Sequence, residues 1–433
     1  MSNPEYIPYR RRPRRWWIFP IMLVSIVLAG LLLWQIPRVQ RALEWRMDVA
    51  MTYLRMVLNP VSKLPTPMTS SQNLPRVETS PNVVTPSATE PALLVTATPT
   101  LIPTPTIKPT PLPESVLLEA PAYDQAKDKQ DWNNCGPATL ALYLRFYGWS
   151  GDQYDISDVI KPTRDDRNVN VEELVYYVRT QAGWLNAEFR VGGTVDTLRK
   201  FIANGIPVVI EETFTTDRKY WPDDDRWAGH YLLITGYDDN IRQFTAQDSE
   251  IGPNQKIVYD VLEDNWQSFN HVYVLVFKPE QADLVNSLLG AEKDVDVNRQ
   301  YALNDAEKET QTDPQNAFAW FNYGSNLVYF ERYHEAALAY DKARSIGLPE
   351  RMLRYQFGPF IAYFHAQRTE ELMALSKYAL EITRTSEEGM LWRGWGYFRN
   401  GDNSTAANYF RDALKIRPGY EDAQYALDYV STN

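Results

Sequence analysis

From Pro60 to Pro113 the sequence is dominated by proline, threonine, serine and valine, as in Thr98-Pro99-Thr100-Leu101-Ile102-Pro103-Thr104-Pro105-Thr106. Such a stretch lacks many backbone donors that helices and ladders use, and it has too little apolar surface to offset the entropy of ordering. It cannot join a packed core, so it divides the chain into parts that fold separately. Extended polyproline conformations make it a semi-rigid spacer reaching on the order of 100 Å at about 3.1 Å per residue. The 433-residue chain, 44% hydrophobic, is long enough for two folded domains beside it.

Upstream of the spacer, Trp16 to Ile36 carries no charged residue. That length suits a bilayer crossing, with Trp16, Trp17 and Trp34 near its ends where interfacial aromatics gather. Residues 16–36 are therefore expected to form a single N-terminal transmembrane helix after a basic tail over 1–15. Arg10, Arg11, Arg12, Arg14 and Arg15 place the N-terminus in the cytoplasm and everything after Pro37 outside the plasma membrane, although Arg38, Arg41, Arg46 and Arg55 follow on the other side. No small-x-small cleavage site follows the apolar run, so a signal peptide fits poorly. In 37–59, Val39, Leu43, Met47, Ala50, Leu54 and Val57 recur at helical spacing, which predicts an amphipathic juxtamembrane helix.

Beyond the spacer stands the one cysteine of the chain, Cys135. It has no disulfide partner, and four histidines in total do not suggest a multi-Cys, multi-His metal site, so neither metal nor cofactor is implied. What remains is a nucleophile or a small core residue. Gly136-Pro137 suits a first helical turn, and Leu140, Tyr143, Leu144 and Tyr147 then recur at helical spacing until Gly148. The sulfur therefore sits over a helix N-terminus, where unpaired N–H groups and the helix dipole stabilise a thiolate.

A nucleophile needs a base. His334 and His365 fall in a helical region, which leaves His230 and His271. His230 opens a strand-like run to Tyr237, which turns through Asp238-Asp239-Asn240 and returns from Ile241 to Asp248. In a hairpin centred on Asp239, His230 and Asp248 lie nine residues either side and face each other, close enough for the carboxylate to hold one imidazole nitrogen. A turn centred half a residue later opposes His230 to Ser249 instead. His271, inside Asn270-His271-Val272-Tyr273, is expected to pack in a strand.

The segments 130–148, 229–240 and 246–252, in that order, resemble the C39-like family of papain-fold cysteine peptidases, whose members include the leader-cleaving domains of bacteriocin exporters. The resemblance spans roughly residues 115–280 and implies an α+β papain-like catalytic domain over 114–281. It implies that Cys135 is the nucleophile, His230 the general base and acid, and Asp248 the residue that orients the imidazole. Papain-like sites also use a glutamine whose amide joins the cysteine N–H in an oxyanion hole. Gln130 is the candidate, although it lies five residues before Cys135 where exporter domains usually show six, and Gln125 stays open. The implied chemistry is thiol acyl transfer with no cofactor, on a peptide or protein substrate. The double-glycine specificity of exporters does not carry over, because the chain has no Gly-x-x-x-x-Gly-Lys loop or ATPase half. An acyltransferase or amidase with the same triad, and a peptide-binding adaptor without turnover, remain alternatives.

From 282 to 433 the pattern turns helical and repeats. Gly324, Leu327, Ala336, Tyr340 and Ala343 are matched about 70 residues later by Gly394, Tyr397, Ala406, Phe410 and Ala413, twice a 35-residue period. The spacing resembles the tetratricopeptide repeat, with Trp320 at the first-helix aromatic position and an irregular unit over 351–386. Such an all-α array binds a peptide or protein partner, or caps the catalytic domain. The net charge of −11 argues against nucleic acid as a partner. Asp223-Asp224-Asp225, just before His230, reads as a solvated loop, with a cation site or recognition of a basic substrate as the alternatives.

Overall fold

The computed structural model describes residues 18–35, 37–58, 60, 63–68, 111–163 and 168–432. Of these, the described residues up to Pro60, with 218–224, form one compact unit, and the described residues of 61–217 and 225–432 form another.

In the first unit α1 (Ile18–Trp34) is followed by α2 (Pro37–Leu58). At 1.5 Å per residue the 17 residues of α1 rise about 25 Å, short of a hydrocarbon core about 30 Å thick. Among the described residues no helix is long and apolar enough to cross a membrane. The transmembrane helix expected over 16–36 is thus not supported; Trp16, Trp17 and Ile36, which lengthen the apolar run in the sequence, lie outside the described residues, as does the basic tail. On α2, Met47, Leu54 and Val57 of the predicted stripe are exposed, while Met56, off that stripe, is buried. Asp224 corrects the solvated-loop expectation: it is buried, and its carboxylate accepts the N–H of Tyr220 at 2.6 Å.

Most of the spacer, 69–110, lies outside the described residues. The second unit then runs β1 (Ser115–Leu117), α3 (Gln125–Asp128), α4 (Cys135–Phe146), α5 (Gln153–Ile160), α6 (Val171–Gln181), β2 (Asn186–Arg190), α7 (Val195–Ala203), β3 (Val208–Thr215), β4 (Trp227–Asp238), β5 (Gln243–Asp248), β6 (Gly252–Val258), α8 (Tyr259–Trp266) and β7 (Tyr273–Phe277). The seven strands form an antiparallel sheet in the order β2-β7-β3-β4-β5-β6, with β1 added to β4. Period-two alternation along β4 gives each face its own core. Leu232 and Ile234 join Leu198, Phe201, Ile210, Phe244, Trp266 and Tyr273 in one cluster with α7 and α8. Toward α4, Leu140, Tyr143 and Leu144 are fully buried, each contributing about 1.5–3 kcal/mol. Two hydrogen bonds fix that helix on the sheet: Thr139 Oγ1 to the Tyr231 carbonyl at 3.1 Å, and the Tyr143 hydroxyl to the Val276 carbonyl at 3.0 Å. This is the expected α+β papain-like arrangement.

After α9 (Ala282–Leu289) and α10 (Val295–Thr312) come α11 (Ala317–Tyr329), α12 (Tyr333–Ile346), α13 (Met352–Tyr355), α14 (Gly358–His365), α15 (Thr369–Ile382), α16 (Glu387–Arg399), α17 (Asn403–Ile416) and α18 (Glu421–Thr432). The matched small and aromatic positions pack as the repeat pattern requires. A Cβ on Gly324 would lie 2.9 Å from the Tyr340 ring, and one on Gly394 would lie 2.4 Å from the Phe410 ring. The array is tied to the catalytic domain by buried amides. Asn270 and Asn326 exchange hydrogen bonds at 3.0 and 3.2 Å, and Asn322 Nδ2 donates to the Gln267 carbonyl at 2.7 Å.

Candidate active site

Cys135 is the first residue of α4, with Asn134 as its N-cap. The loop before it is built around Gln153, whose Oε1 accepts from the Asp131 N–H and from Asn134 Nδ2, both at 2.8 Å. Its Nε2 donates to the Lys127 and Lys129 carbonyls at 2.9 Å. Asn133 turns the chain through φ 52°, and Lys161 Nζ holds its carbonyl at 2.9 Å. A half-buried thiol is thereby presented at the helix N-terminus.

The predicted hairpin exists in a different register. Asp248 pairs with Leu232, not His230, because β4 runs on to Asp238 opposite Gln243 and the connecting turn is longer than expected, with an irregularity between Ile234 and Gly236. Arg242, at φ 51°, lies in that turn. The displacement is two residues, so His230 and Asp248 keep the same face and become diagonal neighbours, within reach of their side chains. His230 Nε2 lies 2.9 Å from Asp248 Oδ1. The same oxygen accepts the N–H groups of Glu250 at 2.7 Å and Ile251 at 3.0 Å.

With Nε2 taken, the other imidazole nitrogen is left for Cys135, with which His230 shares a hydrogen bond. Burial works against ionising the thiol. The hydrogen bond and charge of His230, with backbone N–H groups of Tyr231 and Gly136, outweigh it and hold the thiol below its ordinary range. Burial likewise disfavours the imidazolium, but Asp248 and Cys135 raise it to about 10. Asp248 is itself kept low, against burial, by His230 and the two backbone donors. The three side chains thus form a connected Cys135–His230–Asp248 array.

Gln130 stands beside them. Its backbone N–H donates to the Ser249 carbonyl and its Oε1 accepts from Ser249 Oγ, each at 2.8 Å. Anchoring the oxygen leaves the amide nitrogen as the free end. Gln125 is exposed at the start of α3. His271 does not lie in a strand as expected; it precedes β7 in a turn at φ 48°, edge-on to Trp266 at 5.3 Å, and burial alone lowers its pKa to about 4. Asp225 accepts the Glu350 N–H at 2.8 Å.

Sequence reasoning missed three neighbours. Glu212 lies opposite His230 on β3, and burial raises its carboxyl to about 7, with His230 opposing the rise. Its only signal was a pair of glutamates inside the apolar run of β3. Arg354 Nη2 reaches Asn133 Oδ1 at 2.7 Å, and Tyr355 packs edge-on to Trp227 at 5.6 Å. Both belong to α13, in the irregular repeat unit, and that irregularity was the one available hint.

Residues 117–274 match the model of the Peptidase_C39 like family. That segment is similar to the family's cysteine peptidases, and the helices that follow repeat with the spacing of tetratricopeptide units. Among solved structures, a Bacillus anthracis protein described as a C39-like peptidase is 17% identical, with 38% of this chain and 98% of that one covered, at a TM-score of 0.29. Xylellain, a cysteine protease from Xylella fastidiosa, is 15% identical, covering 39% of this chain and 87% of its own, with a TM-score of 0.30. YrrB, a TPR protein with an unusual peptide-binding site, is 20% identical over 35% of this chain and 74% of its own, with a TM-score of 0.27. No curated protein matches the chain.

Proposed function

We propose that the chain hydrolyses peptide bonds with Cys135 as nucleophile, His230 as general base and acid, and Asp248 as the group that orients the imidazole. The thiolate attacks the substrate carbonyl, and the oxyanion is met by the backbone N–H of Cys135 and the amide nitrogen of Gln130. Collapse of the tetrahedral intermediate breaks the C–N bond as His230 delivers a proton to the leaving amine. Water, deprotonated by His230, then releases the acid product and restores the thiol. The observation that carries this reading is the chain of contacts from the thiol through His230 to the 2.9 Å bond with Asp248. A peptide library incubated with the full chain, Cys135→Ala and His230→Ala tests it. New termini are expected with the first alone, and cleavage that persists in either variant rejects the mechanism.

The reading includes a place for the protein. The uncharged run 16–36, with arginines at 10–15, motivates attachment to the plasma membrane with the catalytic and repeat domains outside. Alkaline extraction of membranes and external protease digestion test this. Recovery in the soluble fraction, or full protection of the domains in intact cells, removes it. The repeats supply a surface for a peptide or protein partner.

A further inference from the structure

The start of the spacer is seated on the repeats. Residues 63–68 lie against α12 and α15, where Arg344 donates through Nε and Nη2 to the Pro65 carbonyl at 3.2 and 2.5 Å. Glu371 Oε1 accepts the Met68 N–H at 2.6 Å. Both side chains are almost wholly buried, at 1% and 3% exposure, and a buried charge is costly unless its hydrogen-bonding capacity is filled.

The internal partners fill only part of it. Arg344 Nη1 serves the Tyr363 hydroxyl and Glu371 Oε2, each at 2.9 Å, while Arg368 Nη2 takes Glu371 Oε1 at 3.0 Å. Asp341 is occupied by Arg368 at 2.6 Å and by the Tyr363 hydroxyl at 2.8 Å. Two arginine donors, Nε and Nη2, are turned outward from this neutral cluster to a backbone carbonyl. The cluster is complete only with a strand of peptide on it. Glu371 titrates accordingly: burial opposes ionisation, but Arg344, the Met68 N–H and Arg368 keep its carboxyl low.

The two backbone contacts are three residues apart, and so are the exposed residues Lys63 and Thr66 and the half-buried residues Leu64 and Pro67. Three is the repeat of a polyproline helix, whose carbonyls and N–H groups are free for such contacts. We propose that the Arg344–Glu371 cluster is a binding site for extended, proline-containing peptide backbone, occupied in cis by residues 63–68 of the chain's own spacer. A partner segment of the same kind gains the site only by displacing that segment.

The test uses the full chain and a fluorescent peptide with the sequence of residues 61–70. Met68→Pro deletes the N–H that Glu371 accepts, and Leu64→Gly removes a half-buried side chain. Both substitutions lie in the spacer and leave every residue of the repeats unchanged. A tethered segment competes at an effective concentration in the millimolar range, so for a dissociation constant near 100 µM the double variant binds the peptide about tenfold more tightly than the wild type. A peptide with proline in place of Met68 loses that gain. Hydrogen exchange of the Met68 amide in the wild-type chain is the second readout, and protection is expected. Equal peptide binding by both chains, binding by neither, or a Met68 amide that exchanges at the unstructured rate overturns the proposal.

Discussion

Asp248→Asn separates the charge of the carboxylate from its geometry. Asp248 Oδ1 accepts three hydrogens, from His230 at 2.9 Å, Glu250 N–H at 2.7 Å and Ile251 N–H at 3.0 Å. An asparagine must place its oxygen at that point, because its NH2 there would meet two backbone donors. The oxygen still accepts from His230 Nε2, so the tautomer that turns the other nitrogen to Cys135 is retained and only the charge is lost. Hydrogen bonds to charged groups contribute about 1.5–3 kcal/mol against about 0.5–1.5 for neutral ones, a loss of about 1–2 kcal/mol. That corresponds to a rise of about 0.7–1.5 pH units in the thiolate titration, because a weaker imidazolium stabilises the thiolate less. Asp248→Ala instead leaves three donors without an acceptor, at about 1–3 kcal/mol for each buried group, and releases the ring. Because Cys135 is the one cysteine, iodoacetamide alkylation followed by intact mass reads a single site. The wild-type rate rises through a titration below the ordinary thiol range and then levels off. The asparagine variant shifts upward modestly, and the alanine variant approaches an ordinary cysteine. If asparagine behaves like alanine, the backbone donors do not fix the oxygen; if neither shifts, Asp248 does not govern the thiol.

Gln130→Ala is expected to lower turnover by about 10²–10³ while leaving the alkylation titration in place, since an oxyanion donor acts on the transition state and not on the resting thiol; peptide hydrolysis beside alkylation checks this. Glu212→Gln removes a carboxylate opposite His230. Imidazolium then loses its proton at lower pH, and the alkaline limb of the pH–rate profile, set in the wild type by a His230 pKa of about 10, moves down. Gly394→Ala places a methyl 2.4 Å from the Phe410 ring and destabilises the repeats by about 1–3 kcal/mol, read as a lower thermal midpoint. Tyr355→Ala, which removes a ring packed on Trp227 and Phe269, changes KM more than the alkylation rate of Cys135.

Local rules made much of this legible. Pro137 and the spacing of Leu140, Tyr143 and Leu144 define α4 because capping and burial periodicity act within a few turns. Gly324 with Tyr340, and Gly394 with Phe410, could be paired from the repeat because steric fit recurs with it. The register of β4 on β5 was read two residues short, since strand extension to Asp238 and the irregularity after Ile234 depend on sheet neighbours. Period-two geometry preserved the face even so, and His230 still met Asp248. Glu212, Arg354 and Tyr355 come to the site by tertiary packing, α13 from more than 200 positions after Cys135, and no local spacing announces them. The helix over 16–36 was inferred from composition, which counts apolar residues but not where regular helix begins and ends.

Acid-quenched mass spectrometry of the full chain during peptide-library turnover tests the central claim most directly. A peptide acyl group carried on the fragment containing Cys135, rising and falling with product and absent from Cys135→Ala, is the predicted result. Product formation with no adduct at that residue, continuing unchanged in Cys135→Ala, contradicts the account.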